Sequence, residues 1–460
     1  MNEERAHAAA ERRLDTTAKL IYGTGDHSVN LSLSALSILF AFFLTDVAGL
    51  RPGLAGLVVL TSRIFDAISD PLVGRFSDTR RWSIGRRRPF FLIGMVPFSI
   101  CFALLWRTPF DPDSSQFAMF CYYTMVYMAL SITTTTLSVP YLALIPEMAR
   151  DYEERTSVNA FRSGAAVTGS LFAIGMRQLA DSWGGDANAY AAASSVFAIW
   201  LMVPWLPVFL VSFERPGPAA QSMSIVTSFR ETARHKNFMI LCALYIAARI
   251  GVDIGAASLP YYAAHWLHRP GDLQWMMLFL LGSSVLSLPI WLRIGRRIDK
   301  QTMFIAGAAI WGTLMCGLFF IPPDFPRGLL FALTALSGFG YCAADLAPWA
   351  MIGETIDEAE LRTGTRHEGL YNGFFMFLRK IAGASGVALM LFIFDLAGYS
   401  KDGAQNEDAL LAIRAATGLI PASVLVIAIL IARRFPITRA AHAKIRAALD
   451  ERASRPAGEP

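Results

Sequence analysis

Along this chain the apolar residues do not alternate with polar ones at the spacing of a water-facing helix; they run. "MILCALYIAA" and "ALLAIRAATGLIPASVLVIAILIA" are two of a series of long apolar stretches, separated at near-regular intervals by short polar segments. A helix rising 1.5 Å per residue needs about 20 such residues to cross a bilayer. Twelve stretches meet that need: 19–45, 53–76, 89–107, 117–146, 157–181, 191–213, 237–264, 273–295, 302–321, 328–352, 367–396 and 408–433. The pattern predicts an all-α membrane protein with twelve transmembrane helices.

Composition agrees. Of 460 residues 54% are hydrophobic and only 17% charged, where a soluble chain carries roughly a quarter charged residues. The opening "MNEERAHAAAERRLDTTAK" has no apolar core, so the first helix is expected to act as its own insertion signal. Lysine and arginine set the orientation. Outer loops hold one each (Arg51, Arg107, Arg177, Arg269, Arg327, Lys401), whereas inner ones hold clusters. Those clusters are Arg80, Arg81, Arg86, Arg87 and Arg88, then Arg293, Arg296, Arg297 and Lys300, then Arg433, Arg434, Arg439, Lys444 and Arg446 in the tail. Both termini are therefore expected in the cytoplasm. The net charge of +5 is topological, and basic residues scattered over membrane-adjacent loops leave lipid, not nucleic acid, as the surrounding partner. The cysteines Cys101, Cys121, Cys242, Cys316 and Cys342 all fall in apolar spans without metal-site spacing and read as small core residues.

The chain also repeats itself. "PYLALIPEMARDYEERT" (140–156) and "PWAMIGETIDEAELRT" (348–363) share an opening proline and aromatic, a run of acids and a closing Arg-Thr. Two pseudo-symmetric six-helix bundles are expected, 19–213 and 237–433, between an N-terminal segment 1–18, a linker 214–236 and a tail 434–460. Parallel repeats of this kind place a substrate site between the halves near the midplane. The acids of the repeated loops, Asp151, Glu153, Glu154 and Asp357, Glu358, Glu360, are expected to meet inner-loop arginines when the cytoplasmic side closes, as an inner gate.

Charges inside the spans carry the chemistry. In "TSRIFDAISDPLVGRFSD" Arg63, Asp66 and Asp70 fall at i, i+3 and i+7, one helix face over two turns. Each costs about 2.5–3.5 kcal/mol on insertion scales at the centre of a membrane helix. Two carboxylates one turn apart raise one another's pKa as a proton site, share a hard cation, or belong to a static ion-pair network. Lys380, among small residues in "MFLRKIAGASG", is a counter-charge that competes with a cation for those acids. Arg249 and Asp253 are spaced to satisfy each other; Asp345 has no local partner and favours a cavity. Arg162 enters its helix by about two turns, within reach of the inner interface by snorkelling. "SITTTTLSVPY" offers hydroxyls to a solute or to its own backbone, and "YGTGDHSVNLSLS" places Asp26 and Asn30 one turn apart. No phosphate loop, metal cluster or nucleophile–base pair occurs, so neither an enzyme nor a bound cofactor is expected.

At these residues the chain resembles the glycoside–pentoside–hexuronide:cation symporters of the major facilitator superfamily, the group containing melibiose permease. The resemblance rests on "YGTGDHSVN", "TDVAGL", "RIFDAISDPLVGRFSD", "GRRRPF", "VPYLALIPEMARDYEERT", "PWAMIGETIDEAELRTGTRHEG" and the lysine of "FLRKIAG", in the family's order through both halves. It implies the major facilitator fold, a bacterial cytoplasmic membrane, and sodium- or proton-coupled uptake of a small glycoside-like solute. It makes Asp66 and Asp70 cation ligands, Thr135 their neighbour and Lys380 a coupling residue with Arg63. Arg162 matches an arginine lining the sugar pocket. The family's two sugar-binding acids are replaced here by Asn30 and Ser138, while Asp345 falls near a position that is aromatic in melibiose permease. The coupling machinery is kept and the solute pocket altered. Lysolipid transporters of the family share that pattern, so an amphipathic solute is the alternative.

Overall fold

The computed structural model describes residues 14–79, 82, 84–111, 115–149, 152–214, 232–364, 368–401 and 405–454. Asp151, Arg80, Arg81 and most of the expected linker lie outside these residues, as does the side chain of Glu153. Twelve long helical elements follow one another among the described residues. They are α1 (Thr16–Ala35, continued by π-helical turns Leu36–Phe40 and Phe43–Val47), α2 (Pro52–Thr79), α3 (Pro89–Leu105) and α4 (Gln116–Met148). Next come α5 (Tyr152–Ser182), α6 (Ala187–Met202 and Trp205–Val211), α7 (Lys236–Tyr261 with the π turn Tyr262–Trp266) and α8 (Asp272–Gly295). Last are α9 (Lys300–Phe320), α10 (Arg327–Thr363), α11 (Glu368–Leu396) and α12 (Glu407–Thr417 and Leu419–Ala432), with a tail helix α13 (Arg439–Ser454) beyond. Among the described residues the only extended pairing is a single bridge between Trp82 and Gly85.

Nine of these helices are long and apolar enough to cross a membrane. The others, α1, α3 and α5, differ for two reasons. α3 is apolar but only 17 residues long. α1 and α5 are diluted by polar residues that turn out to face each other. Large apolar side chains such as Phe117, Leu286 and Leu396 are about three-quarters exposed, as a lipid-facing surface requires.

The chain divides into two compact units, 1–221 with 391–404, and 222–390 with 405–460. In the first, α1 lies along α5. Gly169 makes that approach possible: a Cβ there would sit 2.3 Å from the His27 carbonyl oxygen. Lipid offers no hydrophobic driving force between helices, so close backbone packing by small residues takes its place. At one end of the unit Phe40 and Phe43 pack on Trp106, with ring centroids 5.7 and 5.1 Å away. At the end of the unit where α3 begins, "GRRRP" explains itself. The Glu214 carboxylate accepts from the backbone N–H groups of Arg86, Arg87 and Arg88 at 2.7, 2.7 and 2.9 Å, just before α3 begins. Such a nest of amides at a helix start favours an anion. Gly85 has φ +124°, and a Cβ on it would meet Glu214 at 2.6 Å, so glycine is required there twice over.

In the second unit α9 and α10 approach closely at Gly307, whose Cβ would lie 2.5 Å from that of Ala343. α10 does not stop at the expected membrane boundary near 352 but continues to Thr363, ending at Gly364 with φ +76°, a left-handed C-terminal cap. The tail helix α13 returns to this extension: His442 Nε2 lies 2.9 Å from Asp357 Oδ2, and Asp299 accepts from the Arg439 amide at 2.8 Å.

Candidate functional site

In the first unit α2 carries Asp66 and Asp70, and α4 brings Thr135 to them. Asp66 is 5% exposed and Asp70 half-buried. Pro71 follows Asp70 within the helix. The Thr135 hydroxyl donates to Asp70 Oδ1 at 2.6 Å. Arg63 Nη1 lies 3.8 Å from Asp66 Oδ2, and its guanidinium sits 5.8 Å from the centre of the Tyr127 ring. Thr135 stands apart from its neighbours, for Thr133 and Thr134 both return their hydroxyls to the Leu130 carbonyl and Thr136 to that of Ile132. Of four consecutive threonines, one is turned to the acids.

A second cluster joins α1, α4 and α5. Arg162 Nε donates to Asp26 Oδ2 at 2.5 Å, and Nη1 to Asn159 at 2.6 Å. The Tyr141 hydroxyl lies 3.0 Å from the same Asp26 oxygen and 2.7 Å from the Tyr22 carbonyl, while Tyr22 donates back to the Tyr141 carbonyl at 2.6 Å. The two rings stack at 4.4 Å. Gly25 admits the Tyr141 ring, which a Cβ would approach to 2.8 Å. Asn30 donates to the Asp26 carbonyl at 2.9 Å. Arg162 is thus held by an acid rather than reaching for the interface. Ser138 is half-buried and makes no hydrogen bond among the described residues.

In the second unit Arg249 is held by Asp253 through two hydrogen bonds, Nε to Oδ2 at 2.8 Å and Nη2 to Oδ1. Gly383 of α11 leaves room for that carboxylate, since a Cβ there would lie 2.0 Å from Asp253 Oδ2. Asp345 and Lys380 are half-buried on α10 and α11. Trp349 packs on Phe375 at 5.3 Å, and Tyr245 stacks on the same ring at 4.2 Å. Arg379 stands 5.9 Å from the centre of Trp349. Nothing in the sequence set Arg379 apart from the adjacent Lys380; only its depth within an apolar span could have marked it.

The acids of the repeated loops have local partners. Glu154 accepts from the Leu14 amide at 2.9 Å. Glu358 takes Asn237 at 2.7 Å and His235 at 3.1 Å, and Asp357 is met by His442 and, at 3.7 Å, Arg446 of the tail helix. Glu360 also interacts. Two acids absent from the sequence reading do comparable work: Glu147 binds Arg86 and Arg87 at 2.7 and 2.6 Å, and Glu354 binds Lys300 at 2.9 Å.

Helices of this number and length, with ionisable side chains in their middles, are those of an integral membrane protein. The family model described as MFS/sugar transport protein matches residues 21–439, and the chain belongs to that family, the glycoside–cation symporter group of the major facilitator superfamily. It is 27% identical to the "Uncharacterized symporter sll1374" of Synechocystis sp., over 97% of this chain and 99% of the relative. It is likewise 27% identical to the "Glucuronide carrier protein homolog" of Escherichia coli K12, over 94% of each. Among solved structures, a point mutant of the nucleoside transporter NupG superposes with a TM-score of 0.67 at 14% identity, over 91% of this chain and 99% of that one, which shows the fold.

Proposed function

We propose that this protein is a secondary active transporter of the bacterial cytoplasmic membrane, with both termini cytoplasmic, that couples inward movement of sodium or protons to uptake of a glycoside or other sugar-like solute by alternating access. The observation that carries the reading is the pair of buried Asp66 and half-buried Asp70 on one helix face, with the Thr135 hydroxyl turned onto Asp70. Two carboxylates and a hydroxyl are hard oxygen donors, suited to a small cation and to no softer ligand. The family description and the two relatives' printed names support a coupled, sugar-like cargo. Asp26, Asn30, Ser138 and Arg162 in the first unit, and Asp345 in the second, are the residues we assign to the solute; Arg63 and Lys380 are assigned to coupling.

The test is uptake of a labelled glycoside panel into proteoliposomes under sodium, lithium or proton gradients. Accumulation should require one of these gradients, and Asp66→Asn or Asp70→Asn should abolish accumulation. Full gradient-driven accumulation by either variant would make the pair structural.

A further inference from the structure

The turn between α8 and α9, the extension of α10 and the tail helix α13 enclose a cavity of about 250 Å³, lined by none of the residues assigned above to cation or solute. It lies wholly within the second unit. Its titratable walls are Arg296 from the turn, Lys300 at the start of α9, Glu354 from α10, and Arg439 and His442 from α13. Basic residues on such loops serve as orientation signals, a role that needs only their charge. Orientation does not require them to converge on one cavity from distant parts of the chain.

What converges is hydrogen-bond donors that the fold leaves unspent. Arg296 is exposed, and its guanidinium makes no hydrogen bond or ion pair among the described residues. Its carbonyl accepts from Arg439 Nη1, which fixes that guanidinium beside it and leaves Arg439 Nε and Nη2 without an acceptor among the described residues. The His442 ring is held through Nε2 against Asp357 Oδ2 at 2.9 Å, and its Nδ1 makes no hydrogen bond among them. Lys300 Nζ donates to the Ala350 carbonyl at 3.0 Å and lies 2.9 Å from Glu354 Oε1. Glu354 is buried and is the one carboxylate on the wall, and Lys300 already occupies it. Asp299 and Asp357 adjoin the cavity without lining it, and both are engaged. Asp299 accepts from the Arg439 amide at 2.8 Å, while Asp357 faces His442 and, at 3.7 Å, Arg446.

Three cations and one carboxylate give the wall a charge of +2 before His442 is counted. A neutral polyol suits such a wall poorly, because each hydroxyl brings a donor as well as an acceptor. A phosphoryl group suits it well, with several acceptor oxygens and one or two negative charges. Arginine binds phosphate through its planar fork and lysine meets it as a point charge. Basic pockets at the ends of membrane helices take lipid phosphate by the same chemistry.

We propose that this cavity is a binding site for a phosphate ester, held by the exposed Arg296 and Arg439 and the half-buried Lys300 and His442. Its occupant is an anionic lipid headgroup or a soluble phosphate ester, which present the same group to the same donors. Occupancy ties α13 to the α8–α9 turn and to α10, and so strengthens the docking of the tail. The site is independent of the transport reading.

The experiment unfolds the full chain by heat in two arms. In neutral detergent, glycerol 3-phosphate is titrated against sodium chloride of equal ionic strength. In nanodiscs, phosphatidylglycerol replaces phosphatidylcholine in steps. A ligand that binds only the folded chain raises its midpoint as the concentration passes Kd, so at least one arm should show a saturable rise of a few degrees. Arg296→Gln should raise the half-saturating concentration or mole fraction about tenfold, as loss of a charge-assisted bond implies. Its unliganded midpoint should match the parent's, because that guanidinium holds nothing in the fold. Arg433→Gln removes an equal charge from an exposed residue off the cavity. Its half-saturation should stay within about twofold of the parent's, since salt screens exposed charges at a distance. A response in the first arm alone assigns a soluble ester, in the second alone a lipid headgroup, and in both the shared group. No saturable rise in either arm overturns the proposal. So does a rise that Arg296→Gln leaves unchanged, or that Arg296→Gln and Arg433→Gln diminish equally, which would leave these residues as orientation signals only.

Discussion

At the scale of single residues, Asp66 and Asp70 show how one hydroxyl is selected from many. Thr135 is flanked by threonines whose hydroxyls return to the helix backbone, a bond available to any Ser or Thr in a helix. The helix rotation alone turns Thr135 toward α2. A hydrogen bond to a charged carboxylate is worth about 1.5–3 kcal/mol. Thr135→Val keeps the volume and removes that donor, and on the proposed function it also removes a ligand of the cation. The expected outcome is a rise of roughly tenfold in the cation concentration for half-maximal uptake, since about 1.4 kcal/mol is a factor of ten. Thr134→Val, whose hydroxyl serves only the Leu130 carbonyl, should leave that concentration within about twofold. Equal effects at the two positions would remove Thr135 from the cation site.

Helices pack here by backbone approach, and glycines decide where. Gly169 and Gly164 lie on the same helix α5 with opposite surroundings. A Cβ at Gly169 would be 2.3 Å from backbone of α1, which cannot yield without moving the helix, while a Cβ at Gly164 would meet nothing within 4 Å. Gly169→Ala should therefore destabilise the protein by several degrees in thermal unfolding, as overpacking of about 1–3 kcal/mol implies. Gly164→Ala should be neutral or stabilising, because alanine favours a helix by about 1 kcal/mol over glycine. Matching losses at both sites would mean that the α1–α5 contact does not limit stability. At this scale the sequence was a good guide to where helices lie, since each expected span holds one. It was weaker on their ends. α10 runs on to Thr363 because "GETIDEAELRT" is as good a helix in water as it is a poor one in lipid, and hydropathy sees only the second property. The expected plain tail forms α13 for a tertiary reason, the contacts of His442 and Arg446 with Asp357. Residues one turn apart, such as Arg249 with Asp253, were legible from spacing. The ion pair of Asp26 with Arg162, 136 positions apart, was not, and neither was the cradle that Glu214 makes for the amides of "GRRRP".

For the whole molecule, coupling requires that a cation bound in one unit change which arrangement of the two is favoured. Asp66 and Asp70 belong to the first unit and Lys380 to the second. A ligand shifts a conformational equilibrium only through different affinities for its states. The counter-charge available to the acids supplies that difference if it comes partly from a cation and partly from the other unit. The sequence expectation makes Lys380, with small neighbours in "KIAGASG", a counter-charge that competes with a cation for Asp66 and Asp70, and the coupling proposed above rests on that expectation. On that proposal a bound cation lowers the demand for the ammonium and so changes which conformational state is favoured. By reciprocity the same exchange makes solute and cation raise each other's affinity. On the same proposal Lys380→Ala removes a counter-charge, and one carboxylate takes up a proton in its place. The expected result is uptake whose dependence on added sodium or lithium is weakened or lost, with acidic pH substituting for it, and accumulation below that of the parent. The measurement is uptake by parent and variant across sodium, lithium and pH series in the same vesicles. A Lys380→Ala protein that keeps the parent's cation dependence and accumulates solute to the parent's level would show that the ammonium only packs α11, and coupling would then have to be sought in Arg63.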